Sequence, residues 1–276
     1  MNILLTGGAG YIGSHACLSL LDAGFNVTVL DDLSTGHEQL IPFGVEFIKT
    51  NINDTKTLDI LFKKKKFDVL MHFAGFIQVE ESVKFPEKYF NNNTTNSITL
   101  FEYCYKNGIK NIIFSSTAAV YGNPIKKFID EKTLLNPLNP YGLSKAHTEN
   151  KLIQMKKENK INYIILRYFN VAGADQELKS GLISKNSTHL IKIASEAATG
   201  KRESVTIYGN DYNTPDGTAI RDYIHVSDLA DIHTKSLKFL IENDQSKILN
   251  CGYGKGYSVK EILDTMNEIY NNKIKI

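Results

Sequence analysis

The chain has 276 residues, 42% of them hydrophobic and 22% charged, and Lys+Arg 32 against Asp+Glu 30 leaves a net charge of +2. That is room for one large or two small domains, without the basic surplus of a nucleic-acid or membrane-surface binder. No apolar run approaches the ~18 residues that cross a bilayer. The N-terminus has no basic region before its apolar stretch, and Cys17, Cys104 and Cys251 form no CxxC pair. The expectation is a cytoplasmic, reduced protein with no metal site.

In chain order, Ile3-Leu4-Leu5 reads as a buried strand, and Ile12, Ala16, Leu20 and Leu21 then recur at helical spacing. Residues 27–30 and 45–48 predict the second and third strands. Leu58, Ile60, Leu61 and Phe62 predict a short helix, and the lysine run 63–66 suits its solvated C-terminal turn. Residues 69–71 and 112–114 predict the fourth and fifth strands, with a long helix over 85–107 between them. A further helix is expected over 141–159 and a sixth strand over 164–166. Continuously apolar strands separated by helices argue for an α/β, Rossmann-type doubly wound parallel sheet. From Gly173 to Ser187 no period holds. A helix over 189–198, a strand over 205–208, a polar loop over 209–218, a strand over 220–226 and a helix over 259–270 follow. The predicted division is a nucleotide-binding domain over 1–170 and a smaller lobe over 171–276.

Thr6-Gly7-Gly8-Ala9-Gly10-Tyr11-Ile12-Gly13 lies between the first strand and the first helix. Its glycines permit a tight turn and close approach of backbone N–H groups to a pyrophosphate at the helix N-terminus. Asp31, 18 residues past Gly13, ends the next strand. A carboxylate there accepts bonds from a ribose diol and repels a 2′-phosphate, which favours NAD over NADP.

Tyr141 and Lys145 stand one helical turn apart. A phenol with a pKa near ~10 is too weak a base at neutral pH unless a cation stabilises its phenolate. With 14 Tyr in the chain, about one Tyr-xxx-Lys arises by chance at ordinary Lys frequency. Position is what singles this pair out, because it opens the helix after the fifth strand, on the ligand-binding edge of such a sheet. The hydroxyl run Ser115-Ser116-Thr117 ends that strand. Taken alone, it reads as ordinary loop chemistry.

Together these segments resemble the extended short-chain dehydrogenase/reductase family, and within it the sugar-nucleotide 4-epimerases. The resemblance is carried by TGGAGYIGSH from Thr6, HFAG from His72, ESV from Glu81, SSTAAVYG from Ser115, YGLSK from Tyr141, LRYFNVAG from Leu166, IYGNDY from Ile207 and DGTAIRDYIHVSDLAD from Asp216. It implies a tightly held NAD and an isomerase that interconverts UDP-galactose and UDP-glucose through a transient 4-keto sugar. Carried over by position, Tyr141 is the base, Lys145 its partner and Thr117 the catalytic hydroxyl. The cofactor side takes Gly7, Gly10, Tyr11, Ile12, Gly13, Asp31, Asn51, Ile52, Phe73, Ala74, Gly75, Asn92, Ser115, Tyr141, Lys145 and Phe169. The substrate side takes Thr117, Tyr141, Asn170, His189, Leu190, Tyr208 and Arg221, whose guanidinium fork matches a diphosphate. Asn51 replaces a frequent Asp, and Ile77 replaces a Lys that some relatives place near the pyrophosphate. His225, in an apolar run, reads as a buried structural histidine. The resemblance also implies a homodimer through the helices over 85–107 and 141–159.

Relatives continue past a position like Ile276, so the substrate lobe is expected to be incomplete. The alternatives are a UDP-N-acetylglucosamine or UDP-glucuronate 4-epimerase, or a truncated, non-catalytic NAD-binding protein. A 4,6-dehydratase is rejected, since Ala118-Ala119 follow Thr117 where that chemistry needs acids.

Overall fold

A computed structural model describes residues 1–124, 128–184, 187–271 and 273–276. Of the segments read above, Lys185 and Asn186 in the irregular stretch and Asn272 near the end lie outside the described residues.

Seven parallel strands form the main sheet in the order β3-β2-β1-β4-β5-β6-β9. They are β1 (Asn2–Thr6), β2 (Asn26–Asp31), β3 (Glu46–Lys49), β4 (Val69–His72), β5 (Asn111–Thr117), β6 (Asn162–Tyr168) and β9 (Lys247–Cys251). Successive strands are added outward on one side from β1 and on the other from β4, so a crevice opens above the carboxyl ends of the central strands. β4 and β6 are buried along their whole length and β1 from Ile3 onward, which is why their centres read as apolar runs.

Helices cover both faces. α1 (Tyr11–Asp22) and α8 (Val226–Asn243) pack together on one face, where Ile3, Leu5, Val29, Met71, Ile164 and Leu237 form a core. α2 (Thr55–Lys64), α5 (Ser97–Lys106) and α6 (Pro140–Lys157) cover the other, over Leu4, Leu70, Phe101, Phe114 and Ile165. The helix expected over 85–107 is α4 (Pro86–Tyr89), a π-helical turn Phe90–Asn96 and α5, preceded by an unpredicted α3 (Val79–Lys84).

A second sheet, β10-β8-β7, consists of β7 (Asn170–Ala172), β8 (Ile220–His225) and β10 (Gly256–Ser258). α7 (Leu190–Ala198) and α9 (Val259–Ile269) share a small apolar core with Val205 and Ile274. The chain does not divide at 170/171. α8 and β9 return to the first sheet, with β9 pairing along β6 from Ile164↔Lys247 to Tyr168↔Cys251. The strand expected over 205–208 does not form: Val205 N–H donates to Lys275 O at 2.8 Å, but no ladder follows. β8 ends at His225, which is half-buried and caps α8: its Nδ1 accepts from Ser227 N–H at 3.2 Å. It is a helix cap rather than a buried structural histidine.

Candidate active site

The crevice is a cleft of about 1560 Å³. Its floor at β1 is the glycine turn. Gly7 has φ +75, and a Cβ there would lie 2.5 Å from Ala74 N. A Cβ on Gly13 would lie 2.1 Å from the Gly7 carbonyl oxygen. Neither position has room for a side chain, so the turn stays tight and the start of α1 faces the cleft. Gly10 is its N-cap and offers no side-chain bond, which leaves the first N–H groups of the helix for a ligand. At the end of β2, Asp31 accepts from Ala9 N–H at 3.0 Å and Leu33 N–H at 2.9 Å. Burial raises its pKa, these two bonds oppose the rise, and Asp32 adds to it. The cradle thus has free N–H groups, no competing side chains and one buried carboxylate. That donor set fits a dinucleotide, with the diphosphate on α1 and the ribose on Asp31.

Gly10, Tyr11, Ile12, Asn51, Ile52, Phe73, Ala74, Gly75, Asn92, Ser115 and Phe169 also line the cleft. Asn51 is engaged by a neighbour, its Nδ2 donating to Asp32 Oδ2 at 2.8 Å.

The reactive hydroxyls and the lysine meet at the carboxyl end of β5. Asn139 caps α6, accepting from Gly142 N–H at 2.9 Å, and Pro140 takes the first helical position. That start signal fixes Tyr141 in the first turn, with Lys145 one turn on. Burial raises the phenol pKa of Tyr141, and the Thr117 side chain beside it partly offsets the rise. Thr117 Oγ1 accepts from Ala119 N–H at 3.1 Å, which holds its rotamer. Lys145 Nζ donates to Ser115 O at 2.9 Å and sits 4.9 Å from the centre of the Phe114 ring. Burial lowers the Lys145 pKa to about 8, while the Glu149 carboxylate favours the ammonium form.

On the opposite wall, Asn170, His189 and Arg221 line the cleft. Arg221 is not paired with the neighbouring Asp222. Asp222 accepts from the backbone N–H groups of Tyr253 and Gly254, and among the described residues no carboxylate pairs with Arg221. Two expected substrate residues lie elsewhere. Leu190, in the first turn of α7, lines an adjoining pocket of about 600 Å³. Tyr208 is 87% exposed and lines neither. The strand that would have aimed it does not form.

Sequence reasoning missed Asn93. It is buried in the π-helical turn, accepts from Phe76 N–H at 2.8 Å, donates to Phe76 O at 2.9 Å and reaches Ser144 Oγ at 3.3 Å. It thereby ties the Gly75–Phe76 loop to α6, beneath Tyr141 and Lys145. Its signal was the polar run Asn91-Asn92-Asn93 inside an otherwise helical pattern. Lys88 was missed as well: it faces the cleft, ion-paired with Glu81 at 2.7 Å.

Residues 3–252 match the NAD dependent epimerase/dehydratase family. The chain belongs to this family. A UDP-glucose 4-epimerase of Azospirillum brasilense is 47% identical over 272 residues, which cover 99% of this chain and 78% of that protein. The crystal structure of a Brucella ovis UDP-glucose 4-epimerase in complex with NAD superimposes with a TM-score of 0.93 at 39% identity, over 97% of this chain and 82% of that one. That of a Bifidobacterium longum UDP-glucose 4-epimerase, in complex with NAD+ and UDP, does so with a TM-score of 0.92 at 33% identity, over 100% of this chain and 85% of that one. Membership in the epimerase/dehydratase family accounts for the glycine cradle and for Thr117, Tyr141 and Lys145 sharing one cleft.

Proposed function

We propose that the chain is an NAD-dependent UDP-glucose 4-epimerase, interconverting UDP-galactose and UDP-glucose. The observation that carries this reading is the meeting of Thr117, Tyr141 and buried Lys145 in the same cleft as the glycine cradle. Bound there, NAD supplies the acceptor and donor for the hydride at the sugar C4. Gly7, Gly10, Gly13 and the start of α1 hold its diphosphate, and Asp31 its ribose. Tyr141 removes the proton of the sugar 4-hydroxyl and later returns it, with Thr117 passing it between them. The Lys145 cation lowers the cost of the phenolate in a site where burial raises it. Inversion needs the 4-keto sugar to turn over while the nucleotide stays fixed. Arg221, with no ion-pair partner among the described residues, grips the diphosphate, and Asn170 and His189 flank the nucleotide.

The test is incubation of the purified chain with UDP-galactose, with and without added NAD, followed by chromatography. UDP-glucose is the expected product. Conversion of the N-acetylated or glucuronate sugars alone, or retention of NAD without turnover, overturns the reading.

For assembly, we infer a homodimer. α3 packs on α4 and α6 and exposes Val79, Val83 and Phe85, an apolar face that suits a second copy. Sedimentation at twice the monomer mass is expected. The three free, buried cysteines accord with a reduced, cytoplasmic setting. No helix among the described residues is long and apolar enough to cross a membrane.

A further inference from the structure

One register below Thr117, three neighbouring strands bring polar side chains into line. Ser116 pairs with Arg167 across β5 and β6, and Arg167 pairs with Asn250 across β6 and β9. Glu149 descends on this row from α6. It is fully buried, and Arg167 is 3% exposed. The guanidinium closes on the carboxylate from two sides, Nε at 3.0 Å from Oε1 and Nη2 at 2.5 Å from Oε2. Ser116 Oγ donates to the same carboxylate. Arg167 Nη1 donates to Tyr121 Oη at 2.9 Å, and Tyr121 donates to Asn250 Oδ1 at 2.7 Å.

Such a pair adds little stability, since apolar side chains of the same size often serve as well. Its place suggests another use. Glu149 stands one helical turn beyond Lys145, as Tyr141 stands one turn before it. Ser116, which donates to Glu149, lies between Ser115, whose carbonyl receives the Lys145 ammonium, and Thr117, which lies beside Tyr141.

We propose that Glu149, gripped by Arg167, is a positioning residue for the epimerisation: it keeps Lys145 cationic and locks the Thr117 end of β5 under the helix that carries Tyr141. This rests on the reading of Tyr141 and Lys145 as the catalytic pair. The ionisable groups around them are Glu149 on α6, His72 on β4, Tyr89 on α4, and Arg167 and Tyr168 on β6. Burial holds His72 neutral, with a pKa near 3, and holds Tyr89 and Tyr168 protonated. Arg167 is committed to Glu149 and Tyr121. Glu149 is therefore the anion that offsets the burial of Lys145.

The test replaces the whole pair, Glu149→Leu with Arg167→Met, so that no lone charge is left buried. The NAD-loaded variant is expected to retain its cofactor and its KM for UDP-galactose while kcat falls by about tenfold or more. Titration of the Tyr141 phenol, read as the tyrosinate absorbance lost on Tyr141→Phe, should move up by about one pH unit. A native kcat with an unmoved titration overturns the proposal, as does a uniform loss of kcat, cofactor and stability with the titration unmoved. The native protein gives a second reading that needs no refolded variant. Lysine NMR, with the Lys145 signal assigned through Lys145→Arg, should show an ammonium at pH 7; a neutral amine overturns the proposal. Tyr141→Phe and Lys145→Met are run alongside. If they keep full turnover, the catalytic reading has failed; if they lose it while the pair variant matches the native protein, only the role of Glu149 has failed.

Discussion

In the proposed reaction Tyr141 has two neighbours with different tasks. Thr117 passes the proton, and Lys145 supplies charge. Tyr141→Phe removes the proton acceptor and leaves the ring packed. We expect unchanged NAD retention and a loss of turnover of about a thousandfold, the usual scale for a positioned acid–base group. Steady-state kinetics with fluorescence of the bound cofactor measures both. Gly13 carries the opposite dependence. A Cβ there meets the Gly7 carbonyl at 2.1 Å, so Gly13→Ala must open the turn. NAD affinity should fall by tenfold or more in a calorimetric titration, with Tyr141 and Lys145 untouched. Most of these residues were legible in the sequence, because backbone space and charge are local demands that a motif records. Tyr208 and Leu190 were not. Their roles depend on which way a side chain leaves its segment, and Tyr208 lies in a segment that forms no ladder.

At the scale of elements, α6 carries Tyr141 and Lys145, and the π-helical turn packs beside it. Asn93 is the fastening between them, and its amide satisfies both the N–H and the carbonyl of Phe76. Asn93→Ala leaves both without a partner in the protein. A loss of about 2–3 kcal/mol of stability is expected in urea denaturation, with a drop in kcat larger than the change in NAD binding. β1, β2, β4, β5 and β6 were readable because nearly all their residues are buried. β9 was not: Lys247-Ile248-Leu249-Asn250-Cys251 is polar at two of five positions and buried only at its last residue. α8 was passed over as well, although buried Leu229, Leu237 and Leu240 recur along one face of it.

For the whole molecule, pH acts through buried histidines. Burial lowers His72 to about 3 and His233 to about 4. Both are below the value near ~6.5 that an unfolded chain shows. Between those limits the unfolded state binds the extra protons, so stability rises with pH and is lost as pH falls from about 6.5 toward 4. Each group contributes at most about 1.4 kcal/mol per pH unit there. His233 Nε2 is buried with no partner among the described residues, and its ring lies 4.7 Å from that of Phe73. His233→Phe should therefore shift the acid midpoint of unfolding downward, as followed by circular dichroism. An unchanged midpoint would assign acid sensitivity to other groups.

The late return of the chain to its first sheet has a consequence during synthesis. β6 is complete by Tyr168, yet its outer edge is paired only when β9 arrives at Lys247. Until then a largely apolar strand offers an open row of N–H and C=O groups, the template on which nascent chains stick to one another. Contacts of such long sequence separation also slow folding. The growing chain should thus pass through a prolonged, adhesive stage, in which a chaperone shielding that edge would raise the yield of native protein.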